Sequence, residues 1–315
     1  MKLKRFVAAG ARRLKHWLLD EGEVNQAEIP FDNNSPWVRQ SFRKLMQDPI
    51  ARRRPAYVWG VLKGCAFGKV LGYESVSVIE FGVAGGAGLV SMERIAEAAE
   101  SIIGIRVEVH GFDTGTGIPK SMDYRDCPNL WLDGQFPMDE AALRSELRRT
   151  KLHLGRVDTT VPEFVRGTFG PVAFVSFDLD LYSSTRDALK LFEGEYDWGL
   201  PRVVCYFDNI IGLTYSDFNG ERLAIREFND RWPMRKLSPI YGLKFLVPPE
   251  ERLSQWPELI YMAHFFEHPL YNEPDEYRKP MLISIQGNGG SGFVYTKPTS
   301  GSREAGVQNS ATGDQ

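Results

Sequence analysis

The stretch VSVIEFGVAGGAGLVSMERIAEAAESIIGIRVEVHGFD, residues 76–113, holds a whole strand–helix–strand unit. VSVIEF (76–81) and VEVHGF (107–112) are runs of β-branched and aromatic residues short enough to be strands. Between them Leu89, Met92, Ile95, Ala96, Ala99, Ile102 and Ile103 recur at helical spacing. Two strands joined by one helix run parallel, because a helical crossover returns the chain to the same end of the sheet. The pattern repeats downstream, where VAFVSFD (172–178) and RVVCYFD (202–208) flank TRDALKLFEGEY, a helix for which Ser184-x-x-Asp187 reads as a capping box. Near-continuous apolar strands are those buried on both faces. The expected fold is therefore α/β, a doubly wound, mostly parallel sheet with additional N-terminal helices.

Residues 1–74 read as a polar helical region, 75–297 as the α/β domain, and 298–315, with almost no apolar content, as a disordered tail. YGLKFLV (241–247), LIYMAHFF (259–266), MLISI (281–285) and GFVYT (292–296) are expected to supply late, partly antiparallel strands. The start, MKLKRFVAAGARRLKHWLL, reads as a basic amphipathic helix packing Phe6, Leu14, Trp17 and Leu18 on the body or on a second subunit, with weak membrane-surface contact as the alternative. No window approaches the roughly 18 apolar residues of a membrane span. A net charge of -3 gives no electrostatic reason to expect nucleic acid. Three cysteines without metal-type spacing point to a reducing, cytoplasmic setting.

Gly82, Gly85, Gly86 and Gly88 lie between a strand and a helix, where glycine lets a ligand approach backbone and the helix offers free N–H groups. Asp113 ends the next strand, where a carboxylate accepts bonds from ribose hydroxyls. Gly82, Val83 and Gly86 with Asp113 and Thr114 are accordingly the expected nucleoside-cofactor contacts. Nicotinamide dinucleotides use the same geometry, but the spacing here is G-x-x-G-G-x-G, and Glu80 precedes the first glycine by two residues. A carboxylate there suits the ammonium and sulfonium groups of S-adenosylmethionine and repels a pyrophosphate.

Two further acids, Asp178 and Asp180, end the third predicted strand, and Asp208 with Asn209 ends the fourth. In a doubly wound sheet such strand ends meet at one crevice. Asp178, Asp208 and Asn209 form an all-oxygen set suited to Mg²⁺, and Asp178 or Asp180 could serve as general base. The plainer alternative makes the two acids caps for the following helix and Asp208-Asn209 an Asx turn.

The series EFGVAGG (80–86), DTGTGIP (113–119), GRVDTTVP (155–162), DLDLYSSTRDAL (178–189) and YFDN (206–209) resembles, in order and form, the macrocin O-methyltransferase family. The likeness covers about residues 50 to 230. It implies a Rossmann-like class I methyltransferase fold and metal-dependent methylation of a hydroxyl on a small molecule, often a sugar of a secondary metabolite, with homo-oligomerisation plausible. Carried over by position, it places Glu80, Gly82 and Gly86 at the methionine end of the cofactor, Asp113 on its ribose and Asp158 near its adenine. Asp178 and Asp208 fall on metal ligands, with Asp178 also the base. Asn209 departs from the family's usual second aspartate, and Gly88 has no counterpart that explains it. MDYRDCPNLWLDGQFPMDE (122–140) reads as a lid. Competing readings are a glycosyltransferase using Asp178-x-Asp180 to hold a metal on a nucleotide sugar, and a non-catalytic binding module.

Overall fold

The computed structural model describes residues 36–195 and 198–272. In chain order it contains α1 (Pro36–Leu45), α2 (Pro55–Val70), β1 (Ser75–Phe81), α3 (Ala87–Ile103), β2 (Arg106–Asp113), α4 (Glu140–Glu146), β3 (Lys151–Leu154) and α5 (Val157–Phe164). These are followed by β4 (Val172–Phe177), α6 (Tyr182–Ala188), β5 (Gly199–Phe207), α7 (Gly220–Arg231), β6 (Arg235–Pro239), α8 (Leu243–Leu246) and β7 (Ile260–Phe265). The seven strands form one sheet in the order β3-β2-β1-β4-β5-β7-β6. The first five are parallel, and β7 runs antiparallel to both β5 and β6. This is the expected α/β fold, a doubly wound, mostly parallel sheet.

The winding follows from handedness. β1 leads through α3 to β2 on one side, whereas β4 leads through α6 to β5 on the other. Right-handed crossovers therefore put α3 and α6 on opposite faces. α2 packs beside α3, and α5 and α7 pack beside α6, completing the two layers. All six residues of β4 and all but the first of β1 are buried.

α2 packs directly on this sheet. Gly60, Gly64 and Gly68 fall on one stripe, and a Cβ added there would lie 2.3 Å from Phe174, 2.5 Å from the Ala173 carbonyl oxygen and 2.6 Å from Val76. Each helical glycine costs about 1 kcal/mol relative to alanine. The close approach is what they allow, and it brings the inaccessible Tyr57 against Phe174 and Tyr206 of the sheet, while Trp59, equally buried, packs beside Trp256.

Several local expectations change. YGLKFLV contains the short helix α8, entered through Gly242 at φ 76°, instead of a strand. LIYMAHFF does supply the antiparallel β7. Helix α6 starts at Tyr182, so Ser184 lies inside it and caps nothing. Its first turn is satisfied from outside, the Ser183 N–H donating to Asp126 at 2.7 Å. Asp187 pairs with Lys190 and Arg186. The basic N-terminal segment, MLISI, GFVYT and the tail lie outside the described residues.

His110 on β2 and His153 on β3 share a hydrogen bond, Nδ1 to Nε2 at 3.2 Å, and stack with Phe112 against the edge of Phe164. They form an aromatic core cluster outside the cleft lining. Burial, then the neighbouring His153 and Lys151, pushes His110 down to about 3. A base depressed on folding is neutral in the native state and charges on unfolding, so its contribution is present above the unfolded value near 6.5 and is lost as pH falls toward 3. Between pH 7.5 and 5.5 the wild type is expected to lose about 1.4 kcal/mol through His110. Urea denaturation at the two pH values should show that loss shrinking in His110→Phe; an unchanged difference contradicts it.

Candidate active site

β1, β4 and β5 end at the same edge of the sheet, and β1 and β4 are neighbours whose connections depart in opposite directions, the place where open α/β sheets leave a crevice. Gly82, at φ 85°, follows β1 so closely that a Cβ there would sit 1.7 Å from the Asp178 carbonyl oxygen. A cleft of about 410 Å³ opens at this point. It is lined by the glycine turn and Glu80, by Asp113 and Thr114 from the end of β2, and by Asp178, Asp180, Asp208 and Asn209 beyond β4 and β5.

On the first wall, Asp113 organises the glycine turn. Its Oδ2 accepts the N–H groups of Val83 and Ala84, each at 2.9 Å, and its Oδ1 that of Gly115 at 2.7 Å. A carboxylate has about four acceptor positions, so one remains for a ligand hydroxyl. Ala84 adopts φ 46°, a left-handed conformation that side chains disfavour, held by this pairing.

Glu80 is 1% exposed. Its Oε1 accepts from the Tyr57 hydroxyl at 2.7 Å, and that hydroxyl also pairs with Ser176 at 2.7 Å. Its Oε2 is buried with no partner. Burial pushes the Glu80 carboxyl up to about 8, opposed by the Tyr57 bond. Gly88 is explained by the same side chain, for a Cβ there would lie 1.9 Å from Glu80 Oε1.

The opposite wall concentrates acids. Burial raises Asp178, and the charges of Asp208 and Asp180 add to it. Asp180 is held at φ 62°, accepts from Asn209 Nδ2 at 3.0 Å, and is pushed up to about 6, first by burial. The Asn209 amide oxygen accepts from Tyr215 at 3.1 Å, and the Tyr206 hydroxyl donates to Asp208. Beneath them Glu221, wholly buried, accepts the Asn209 N–H at 2.9 Å while its Oε1 has no partner. Because Asp126 serves the start of α6, neither Asp178 nor Asp180 is a helix cap. Among the described residues no three His, Cys, Asp or Glu side chains form a group that could hold a metal ion. The lining contains no histidine or cysteine.

Residues 118–136 supply a third wall through Ile118, Pro119, Trp131, Gln135 and Phe136. This loop is pinned by Asp126, by the Ile118–Gln135 and Gly134–Ile118 backbone bonds, both 2.8 Å, and by Arg125 stacked 4.7 Å from the Tyr182 ring centroid.

The cleft thus gathers Glu80, Gly82, Val83, Gly86, Asp113, Thr114, Asp178, Asp180, Asp208 and Asn209. Asp158 is outside the lining, where it pairs at 3.1 Å with Arg156, which does line it. Sequence reasoning missed Arg54, Tyr215 and Glu221. Their only signals are a Pro after Arg54, marking a helix start, and an acid in the first turn of α7.

No family model and no curated protein matches the chain. Among solved structures it is similar to the calicheamicin methyltransferase CalS11, with 21% identity and a TM-score of 0.43 over 70% of this chain and 94% of that one. It is also similar to the O-methyltransferase TomG from Streptomyces achromogenes, bound to S-adenosylmethionine, at 14% identity and TM-score 0.39 over 84% and 99%. An O-methyltransferase from Bacillus cereus, bound to S-adenosylhomocysteine, gives 13%, 0.34, 75% and 91%. Similarity of this size carries no argument about this chain, whose fold rests on its own strand order and whose site rests on its own cleft.

The Gly88 contact gives a stability test. Alanine gains about 1 kcal/mol of helix propensity, whereas the overlap with Glu80 costs about 1–3 kcal/mol. Gly88→Ala should therefore destabilise the wild type and be neutral or stabilising in a Glu80→Ala background, by denaturant titration of the four proteins. Equal effects in both backgrounds would refute the contact.

Proposed function

We propose that the chain is a magnesium-dependent O-methyltransferase, moving a methyl group from S-adenosylmethionine to a hydroxyl of a small molecule, a sugar or glycosylated metabolite. The reading is carried by one observation, the excess of carboxylates around a glycine turn: Glu80, Asp113, Asp178, Asp180 and Asp208 line the cleft against Arg54 and an Arg156 already paired with Asp158. Burial and crowding hold protons on Glu80 and Asp178, which a cationic ligand would displace, whereas a diphosphate would add to the crowding of charge. That argues against a dinucleotide and against a nucleotide-sugar glycosyltransferase.

The cofactor fits the first wall on two grounds, the buried Glu80 Oε2 that has no protein partner and the open space over Gly85, where an added Cβ would meet nothing within 4 Å. Magnesium fits the second wall by donor chemistry, because the residues that would hold it, Asp178, Asp208 and Asn209, would offer it oxygen. When bound, these groups supply an electrophilic methyl and a Lewis acid that polarises the acceptor hydroxyl. The chain's own contribution is positional. Asp178 and Asp180 stand at the cleft to take the hydroxyl proton. Asp113, through the Val83 and Ala84 N–H groups, sets the turn that receives the nucleoside. The pinned loop sets Trp131 and Phe136 on the cleft, and the exposed Leu132 beside them offers further apolar surface to an acceptor.

Asp178→Asn is expected to lower turnover by about 10²–10⁴-fold with S-adenosylhomocysteine affinity changed less than tenfold. Calorimetry with S-adenosylhomocysteine, with and without Mg²⁺, and methyl transfer before and after chelation check the two halves of the reading. Absence of binding would support a non-catalytic module. Stabilisation by a nucleotide sugar instead would support the glycosyltransferase. Activity indifferent to chelator would remove the magnesium.

A further inference from the structure

Asn209 stands at the acid wall among Asp178, Asp180 and Asp208 as its uncharged member. It is 6% exposed and is held from three directions. Its backbone N–H donates to Glu221 at 2.9 Å, its Nδ2 donates to Asp180 Oδ1 at 3.0 Å, and its Oδ1 accepts from the Tyr215 hydroxyl at 3.1 Å. The two ends of an amide have nearly the same shape and opposite hydrogen-bonding character, so the partners decide which end faces where. A carboxylate only accepts, so the nitrogen faces Asp180. The oxygen is thereby turned toward the hydroxyl, which takes one of its two acceptor positions and leaves the other.

Both partners are themselves fixed. Asp180 is held at φ 62°, a backbone conformation that persists only where the surroundings impose it. Tyr215 lies between β5 and α7 with its ring gripped at opposite edges: a Cβ added at Gly212 would lie 3.1 Å from its Cδ2, and one added at Gly220 would lie 3.4 Å from its Cδ1. Asn219 ties the chain on either side of this ring, accepting the Ser216 N–H at 2.7 Å and donating to the Thr214 carbonyl at 3.0 Å. An aspartate at 209 would need no such arrangement, because either of its oxygens could face the cleft. It would also set a second carboxylate about 3 Å from Asp180, where like charges repel. Asparagine gives the wall an oxygen without a further charge, provided that its two ends are kept in order.

We propose that Asp180 and Tyr215 are positioning residues that lock the Asn209 amide, Asp180 at its nitrogen and Tyr215 at its oxygen, so that the oxygen is the end offered to a divalent cation. The inference rests on the magnesium reading above and adds to it what orients the amide donor, with a task for Tyr215. Asp180 acts here through Oδ1 alone, and its second oxygen takes no part in the lock.

The test is Mn²⁺ binding to the full chain, read by electron paramagnetic resonance. Tyr215→Phe removes a hydroxyl and no charge. It is expected to weaken Mn²⁺ about 10- to 100-fold, the usual effect of removing a group that orients a metal ligand. In an Asn209→Asp background the same substitution should change binding by less than about threefold, because a carboxylate needs no orienting. If Asn209→Asp does not fold, the exchanged pair Asp180→Asn/Asn209→Asp serves as the aspartate background. A second measurement needs no metal: in denaturant titration Asn209→Asp should lower the midpoint, and adding Asp180→Asn should raise it by more than Asp180→Asn raises the wild type. No loss on Tyr215→Phe in the wild type, equal losses in both backgrounds, or additive midpoints each overturn the lock while leaving the magnesium reading intact. Wild type that binds no Mn²⁺ overturns both.

Discussion

The strand ends of this protein hold more negative charge than the protein itself neutralises. β1, β4 and β5 each deliver acids to one edge of the sheet, and Glu221 lies buried under them. Burying a carboxylate beside others is unfavourable unless something compensates it. The compensation inside the chain is partial: Tyr57 and Tyr206 donate hydroxyls, Asn209 an amide, and Arg54 a distant cation. Fold stability is thereby given up locally at these strand ends.

The sheet makes this arrangement inevitable once the strand order is set. At the β1–β4 boundary the two connections diverge, so the strand ends are left uncovered by crossovers. Gly82 lets β1 end against β4 with the Asp178 carbonyl in contact distance, and the Asp178 N–H returns a bond to Phe81 at 2.9 Å. An aromatic row stiffens the same ends: Phe112, Phe81, Phe177 and Phe207 follow one another across four strands, with centroids 4.6–5.5 Å apart. The carboxylates therefore project from a packed platform, as site geometry requires.

The central strands were legible because they are largely buried and carry mostly apolar and small residues before their punctuating acids. The edge strands were not. β3 is KLHL and β6 is RKLSP, short and half-polar because an edge strand faces water on one side, and β6 carries a proline that only an edge tolerates. The acids of the cleft were legible as strand-end punctuation. Arg54, Tyr215 and the Asp126 that serves α6 were not, since each reaches the site through tertiary packing from a loop or a helix end. The capping box failed for that reason, because a more distant carboxylate had already taken the role.

Gly88 and Glu80 show how the two kinds of information combine. In the sequence Gly88 is an unexplained surplus; in the fold it is the space Glu80 occupies. A helix start would gain from alanine there, by about 1 kcal/mol. That the position carries glycine means the placement of the Glu80 carboxylate outweighs the local helix preference. The same trade is repeated in α2, where three glycines weaken a helix so that it can lie close enough to the sheet for Tyr57 to reach Glu80. Two independent sacrifices of helix propensity converge on one side chain, so the buried acid is the feature around which this end of the molecule is built, and the glycines are its consequence.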